Sequence, residues 1–266
     1  MRLLDFFALH PVFTYEEFAS FLDANGPRSV KTRDSLLAHH AKTGRILRVR
    51  RGLYASVPFG ASRATFPVDA FLLAGKMSQD SVLAYHTALD FYGKAHSVHE
   101  RFLFLTGKAI RPLNFRGYEF RGIRCPNILL KKKEEFFAVD TAERAGLPVR
   151  VTSLERTLVD ILDRPDLGGG WEEIWRSLES VEFFDMDKIL DYTLILDNSS
   201  TAAKVGLYLE QHREDLMVDE AHLERLRQCI PKQPTYMVRN STGHIVKEWN
   251  LVVPSQVLDR SWEDVS

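Results

Sequence analysis

The chain has 266 residues, of which 45% are apolar and 27% charged, and its formal net charge is −1. Those proportions exclude a disordered or low-complexity protein, and no apolar run reaches the length of about eighteen residues that a membrane-spanning helix needs. Cys125 and Cys229 are too few for a disulfide scaffold or a zinc site, and the opening MRLLDFFALHPVF lacks the features of a secretory signal. A cytosolic globular protein with two buried thiols is the expectation.

Leu3, Leu4, Phe6 and Phe7 predict a short opening helix that Pro11 ends. Thr14-Tyr15-Glu16-Glu17 reads as a capping box, with Phe18, Phe21 and Leu22 following at helical spacing, so a second helix runs from about Thr14 to Leu22. Asn25-Gly26-Pro27 breaks it, Ser29 caps a third helix, and Thr43-Gly44 closes that one. On the third helix Val30, Leu37 and Ala41 share an apolar stripe, while Lys31, Thr32, Ser35, His39 and Lys42 share a polar arc. Ile46-Leu47 with Val49, the turn Arg50-Arg51-Gly52 and Leu53-Tyr54-Ala55 then predict a compact hairpin with cations at its tip.

Between Arg28 and Arg51 eight cations (Arg28, Lys31, Arg33, Lys42, Arg45, Arg48, Arg50, Arg51) stand against Asp34 alone, a net of +7. Three helices followed by a basic hairpin is the order of a winged helix-turn-helix, whose third helix enters the major groove while the hairpin grips phosphate. Thr32, Ser35 and His39 are the expected base readers, and Arg28, Lys31, Arg33, Lys42, Arg48, Arg50 and Arg51 the expected phosphate contacts. A solvated helix face beside a charged hairpin would give the same pattern without DNA.

Pro58 to Ser62 reads as a linker. Beyond it, helices are expected over Val68 to Lys76 and Ser81 to Tyr92, then strands at Arg101 to Leu105, Tyr118 to Phe120 with Ile123, Ile128 to Leu130, and Val149 to Val151. Residues 100–133 carry a second net charge of +7. There Arg111, Arg116, Arg121 and Arg124 interleave with Phe115, Tyr118 and Phe120, either as a stacking surface for single strands or as the solvent side of half-buried strands.

Thr152-Ser153-Leu154-Glu155 reads as another capping box, opening a helix that Pro165 and Gly168-Gly169-Gly170 end. Helices are expected at Trp171 to Val181, Asp187 to Leu196, Thr201 to His212 and Asp219 to Cys229. Tyr236 to Arg239 and Ile245 to Val253 would form a closing hairpin that turns at Ser241-Thr242-Gly243. Residues 153–230 carry a net charge of −10, so two basic blocks precede one acidic block. The expected architecture is α+β: a winged helix-turn-helix over 1–57, an α+β middle region over 66–152, and a mainly helical region over 153–266 suited to a protein partner.

Enzymatic motifs are missing. There is no G-x-x-x-x-G-K-[ST], G-x-G-x-x-G, G-x-S-x-G, H-E-x-x-H or C-x-x-C, and none of the twelve lysines has Asp or Glu two positions earlier, the spacing common in magnesium nucleases. His86, His96 and His99 are close in sequence, but no neighbouring Cys or acid completes a ligand set, so one helix-surface and two loop histidines are expected. No catalytic residue, metal or cofactor is assigned. A nuclease or other enzyme with a DNA-reading head is the alternative.

Four segments in this order resemble the AbiEi family of antitoxins from bacterial type IV, abortive-infection toxin–antitoxin systems. They are the opening helices ending in Gly44-Arg45-Ile46-Leu47-Arg48-Val49-Arg50-Arg51-Gly52-Leu53-Tyr54, then Ser81-Val82-Leu83-Ala84-Tyr85-His86-Thr87-Ala88-Leu89, then Thr152-Ser153-Leu154-Glu155-Arg156-Thr157-Leu158-Val159-Asp160, and finally Ala202-Ala203-Lys204-Val205-Gly206-Leu207-Tyr208-Leu209-Glu210. The resemblance implies a winged-helix repressor of its own operon that binds double-stranded DNA at inverted repeats. It also implies a carboxyl-terminal region that neutralises a nucleotidyltransferase-like toxin, with direct contact to that toxin left open. Inverted repeats would bring copies of the chain side by side on DNA. Related proteins that end in a nuclease-like domain carry an acid and lysine spacing that this chain lacks.

Overall fold

The computed structural model describes residues 2–24, 26–238 and 242–260, and it is a mixed α+β protein. Two compact units divide the chain, each drawn from three stretches. The first comprises residues 1–83, 100–122 and 141–150, the second residues 84–99, 123–140 and 151–266. This differs from the expected division at 57, 66 and 152, because strands distant in sequence share one sheet and helices distant in sequence share one core.

The first unit opens with α1 (Leu3–Leu9), β1 (Val12–Thr14), α2 (Tyr15–Ala24), α3 (Val30–Lys42), β2 (Ile46–Arg50) and β3 (Leu53–Ser56). The Thr14 capping box is formed: the Thr14 amide donates to Glu17 Oε2 at 2.7 Å and the Glu17 amide to Thr14 Oγ1 at 3.2 Å. Ser29 Oγ accepts from the Thr32 amide, and Gly44 ends α3 with φ +76°. Antiparallel pairing gives the strand order β1-β3-β2, with Val12 opposite Ala55 and Leu47 also opposite Ala55. Phe6, Phe7, Phe13, Phe18, Leu22, Leu37, Ile46 and Tyr54 form one buried cluster, so the aromatic-rich opening supplies the core that holds α3 and the hairpin.

The same unit continues with α4 (Ala70–Gly75), capped by Asp69, and with most of a six-stranded sheet. Its strands are β4 (Val82–Leu83), β5 (Arg101–Thr106), β6 (Leu113–Phe115), β7 (Tyr118–Arg124), β8 (Val139–Arg144) and β9 (Leu147–Thr152), in the order β6-β7-β5-β4-β9-β8. The expected helix from Ser81 is a strand over Val82–Leu83, because those residues pair with Leu105 and Phe104; helix begins only after Tyr85, whose φ is +58°. Strands β6 and β8 were not expected. Each belongs to a two-residue hairpin whose turn residues both have positive φ, Arg116-Gly117 and Ala145-Gly146, the combination that matches strand twist.

The second unit contains α5 (His86–Phe91), α6 (Asn127–Lys132), α7 (Leu154–Asp163), α8 (Trp171–Glu179), α9 (Met186–Leu196), α10 (Ser199–Gln211), α11 (Glu220–Arg227) and α12 (Ser255–Leu258). Ile128 to Leu130, expected as a strand, lie in α6: Pro126 opens that helix, Lys133 closes it in the left-handed region, and Lys131 and Lys132 suit its carboxyl end. Ser153, not Thr152, caps α7, while the Thr152 hydroxyl pairs with Thr157 Oγ1 at 2.8 Å. Seven consecutive residues of α7, Arg156 to Leu162, are buried, and the helix packs against α5, α9 and α10.

Within that core the Arg156 side chain is fully buried. Its Nη1 donates to the carbonyls of Glu135 and Phe137 at 2.9 and 2.7 Å, its Nε lies 3.4 Å from Asp160 Oδ2, and its guanidinium covers the Tyr192 ring. The Tyr192 hydroxyl donates to Asp160 Oδ1 at 2.7 Å. The expected closing hairpin is replaced by a small sheet of β10 (Thr235–Tyr236), β12 (Leu251–Val253) and β11 (His244–Val246), with β10 parallel and β11 antiparallel to β12. Part of the expected hairpin and its turn, residues 239–241, lies outside the described residues. Cys125 is buried as expected, whereas Cys229 is half-buried.

Candidate nucleic-acid interface

Helix α3 turns one side inward and leaves the rest exposed. Leu37, at 4% exposure, is its buried residue, with Leu36 and Ala41 partly buried against the aromatic cluster. Val30, expected on the apolar stripe, is 63% exposed: it is the first residue of the helix and projects past the end of the core. Lys31, Thr32, Ser35, His39 and Lys42 are all exposed, so the expected polar arc faces solvent. The neighbouring His40 points back toward the core, 5.0 Å from the Phe7 ring, and burial lowers its pKa.

The expected phosphate contacts separate into two groups. Arg28, Lys31, Lys42, Arg48 and Arg51 are exposed. Arg33 is not available in the same way, because its Nη2 is held by both oxygens of Asp23 at 2.7 and 2.8 Å. Arg50 also departs from the expectation of a cation at the hairpin tip. A register shift between Arg48 and Arg50 turns it back, and its guanidinium donates to the Met77 carbonyl, a contact between residues 27 apart. Burial lowers the Arg50 pKa.

Between α3 and the β2–β3 turn lies a cleft of about 830 Å³. Arg48 and Arg51 line it from the hairpin, Val30, Asp34 and Ala38 from the helix, and Glu16 from the start of α2. The cations therefore sit on the hairpin wall, with carboxylates on the walls opposite.

The second basic block is built as half-buried strands. Phe102 stacks on Phe120 at 5.5 Å and meets Tyr118 edge-on at 5.2 Å, while Phe120 is fully buried. Arg101 pairs with Glu119 at 2.7 Å, and Arg116 Nη2 donates to the Arg63 carbonyl at 2.5 Å. Arg111 and Arg121 are exposed. Tyr118 and Phe120 are thus engaged with Phe102, which fits the solvent-side reading of the cations, while the Phe115 ring carries the Arg116 guanidinium 5.6 Å from its centroid.

A cluster that the sequence did not reveal lies in the second unit. His86 is 2% exposed and not on a helix surface, and its Nε2 lies 3.1 Å from Glu173 Oε1. His99 stacks on His86 with ring centroids 3.6 Å apart and planes 8° from parallel. One ligand atom from each of His86, His99 and Glu173 falls within 4.8 Å of the others. Burial, then the neighbouring His99, lowers the His86 pKa; burial would raise that of Glu173, but hydrogen bonds from Ser97 and His86 outweigh it and hold the carboxyl low. The acid missing from the histidine group is Glu173, 87 residues from His86, and no local spacing could have announced it.

The matched segments of the resemblance occupy structural positions. Ser81 to Leu89 form β4 and the start of α5, Thr152 to Asp160 form the entry and first turns of buried α7, and Ala202 to Glu210 lie in α10. No helix among the described residues is long and apolar enough to cross a membrane. No protein-family model matches the chain, and no curated protein does. Among solved structures, the Rv2827c protein from Mycobacterium tuberculosis is similar in fold, with a TM-score of 0.62 at 18% identity over 98% of this chain and 94% of that one.

Proposed function

We propose that the chain is a DNA-binding transcriptional repressor whose first 57 residues act as a winged helix-turn-helix, and that it serves as the antitoxin of a type IV toxin–antitoxin operon. The observation that carries the DNA reading is the outward polar arc of α3 beside the exposed Arg48 and Arg51, on a module whose aromatic core holds the opposite side. In this reading Thr32, Ser35 and His39 approach base edges and the five exposed cations meet phosphates. Arg33 is engaged by Asp23 and Arg50 ties the hairpin to the Met77 carbonyl, so neither is counted among the phosphate contacts. The antitoxin role rests on the ordered resemblance to the AbiEi family and on the absence of enzyme motifs from the sequence.

Five phosphate contacts predict that log affinity falls against log salt with a slope of about −4.5. Binding of the full-length protein to the duplex upstream of its own gene, measured by fluorescence anisotropy over a salt series, tests this. The double variant Arg48→Ala, Arg51→Ala should flatten the slope to about −2.7 and weaken all sequences alike. An unchanged slope removes the hairpin from the interface. For the antitoxin role, co-expression with an adjacent nucleotidyltransferase-like reading frame should restore growth, and failure to do so discards that part of the reading.

A further inference from the structure

We propose that His86, His99 and Glu173 bind a divalent cation of the zinc class, with an open coordination position toward the cleft beside them. The three donors come from separate parts of the second unit: His86 begins α5, His99 lies in the segment before residue 100, and Glu173 lies in the first turn of α8. Two imidazoles and one carboxylate are a borderline-soft donor set that suits zinc, and three protein ligands leave a fourth position for water or substrate.

An ordinary ion pair explains part of this arrangement but not all of it. Glu173 and His86 satisfy each other, yet among the described residues His99 then has as hydrogen-bond partner only Ser97 Oγ, at 3.3 Å, beside a second imidazole stacked on its face. A shared cation accounts for all three side chains. The 3.1 Å between His86 Nε2 and Glu173 Oε1 is close to the ~3.3 Å that separates two donors around a tetrahedral zinc. One donor atom of each side chain lies within 4.8 Å of the others; because stacked parallel rings aim their in-plane lone pairs alongside each other, His99 has to rotate out of the stack about its soft ring torsion to share the ion.

The surroundings have the form of an outer shell. Ser97 holds Glu173 twice, through its hydroxyl at 2.6 Å to Oε2 and its amide at 3.0 Å to Oε1, and the same hydroxyl faces His99. Ser177 Oγ donates to Glu173 Oε1 at 3.1 Å. Such contacts fix ligand orientation. Gly169, with φ +93°, completes the cradle: a Cβ there would lie 2.7 Å from Glu173 Cγ and 3.0 Å from His99 Cε1. A cleft of about 580 Å³, lined by Glu173 with His96, Trp171 and Gln256, gives access.

The test uses the full-length protein stripped with a chelator, titrated with Zn²⁺ by calorimetry and with Co²⁺ by visible absorption. The expected result is one ion per chain, with the intense cobalt bands of a four-coordinate site. His99→Ala should abolish binding with an unchanged circular dichroism spectrum, and Glu173→Gln serves if that variant unfolds. Ser97→Ala should weaken binding by about 10–100-fold, and His244→Ala, at an exposed position on β11, should leave it intact. Absence of stoichiometric binding, or equal affinity in a folded His99→Ala protein, overturns the proposal. The DNA reading rests on other residues, so either can fail without the other.

Discussion

Arginine does three different jobs in this chain, and burial decides which. Arg48 and Arg51 are exposed on the hairpin, Arg50 between them reaches the Met77 carbonyl, and Arg156 is enclosed in the second unit. Arg50→Ala should therefore lower the stability of the first unit, read by chemical denaturation, while leaving the salt slope of DNA binding unchanged. A flattened slope would return Arg50 to the interface. Replacing Arg156 by Ala removes the cation beside the buried Asp160 and the donor shared by the carbonyls of Glu135 and Phe137, and should cost about 3–5 kcal/mol in a urea titration. Lysine is a poor substitute there, since it cannot reproduce the planar fork that serves two carbonyls and a carboxylate together.

At the scale of elements, two junctions depend on single residues. Asp80 ties the turn before β4 to the end of β5: it accepts from Ser78 Oγ, from Thr106 Oγ1 at 2.9 Å and from the Gly107 amide at 2.7 Å. Burial would raise its pKa, but these donors outweigh it and hold the carboxyl below its ordinary value. A folded pKa below the unfolded one gives stability that is fully present above the unfolded value and is lost as pH falls through the folded one. The stability gap between wild type and Asp80→Asn should thus be full near pH 7 and close below about pH 4, where thermal melts of the two should converge. In α10, Gly206 allows the buried Trp249 ring to lie on the helix, where the indole donates to Glu210 Oε2 at 2.8 Å. A Cβ at Gly206 would come within 2.0 Å of that ring, so Gly206→Ala should destabilise by about 1–3 kcal/mol or more, and blue-shifted or quenched Trp fluorescence should change with it.

For the whole molecule, the interleaving of the two units sets what can be removed. A fragment of residues 153–266 would keep Arg156 and Glu173 but lose the carbonyls of Glu135 and Phe137 and the side chains of His86 and Ser97 that complete their hydrogen bonds. Such a fragment should melt without a cooperative transition by circular dichroism, whereas the intact chain should melt cooperatively. A sharp transition in the fragment would show that the last 114 residues, numbered 153–266, carry a sufficient core of their own.

The sequence by itself determined the features that are settled within a few residues. Thr14 with Glu17, Ser29 with Thr32, and Gly44 set the ends of α2 and α3, because capping and positive φ are contacts of a residue with its own turn. The polar arc of α3 followed from helical spacing alone. Tertiary structure decided whatever depended on a distant partner. Val82–Leu83 form a strand because β5 pairs with them, although so short an apolar run reads equally well as helix. The fate of Arg50 waited on a carbonyl 27 residues away, and the environment of His86 on a carboxylate 87 residues away. The difference is physical: hydrogen bonding within a turn is encoded by adjacent residues, whereas desolvation of a side chain exists only after remote elements have packed around it.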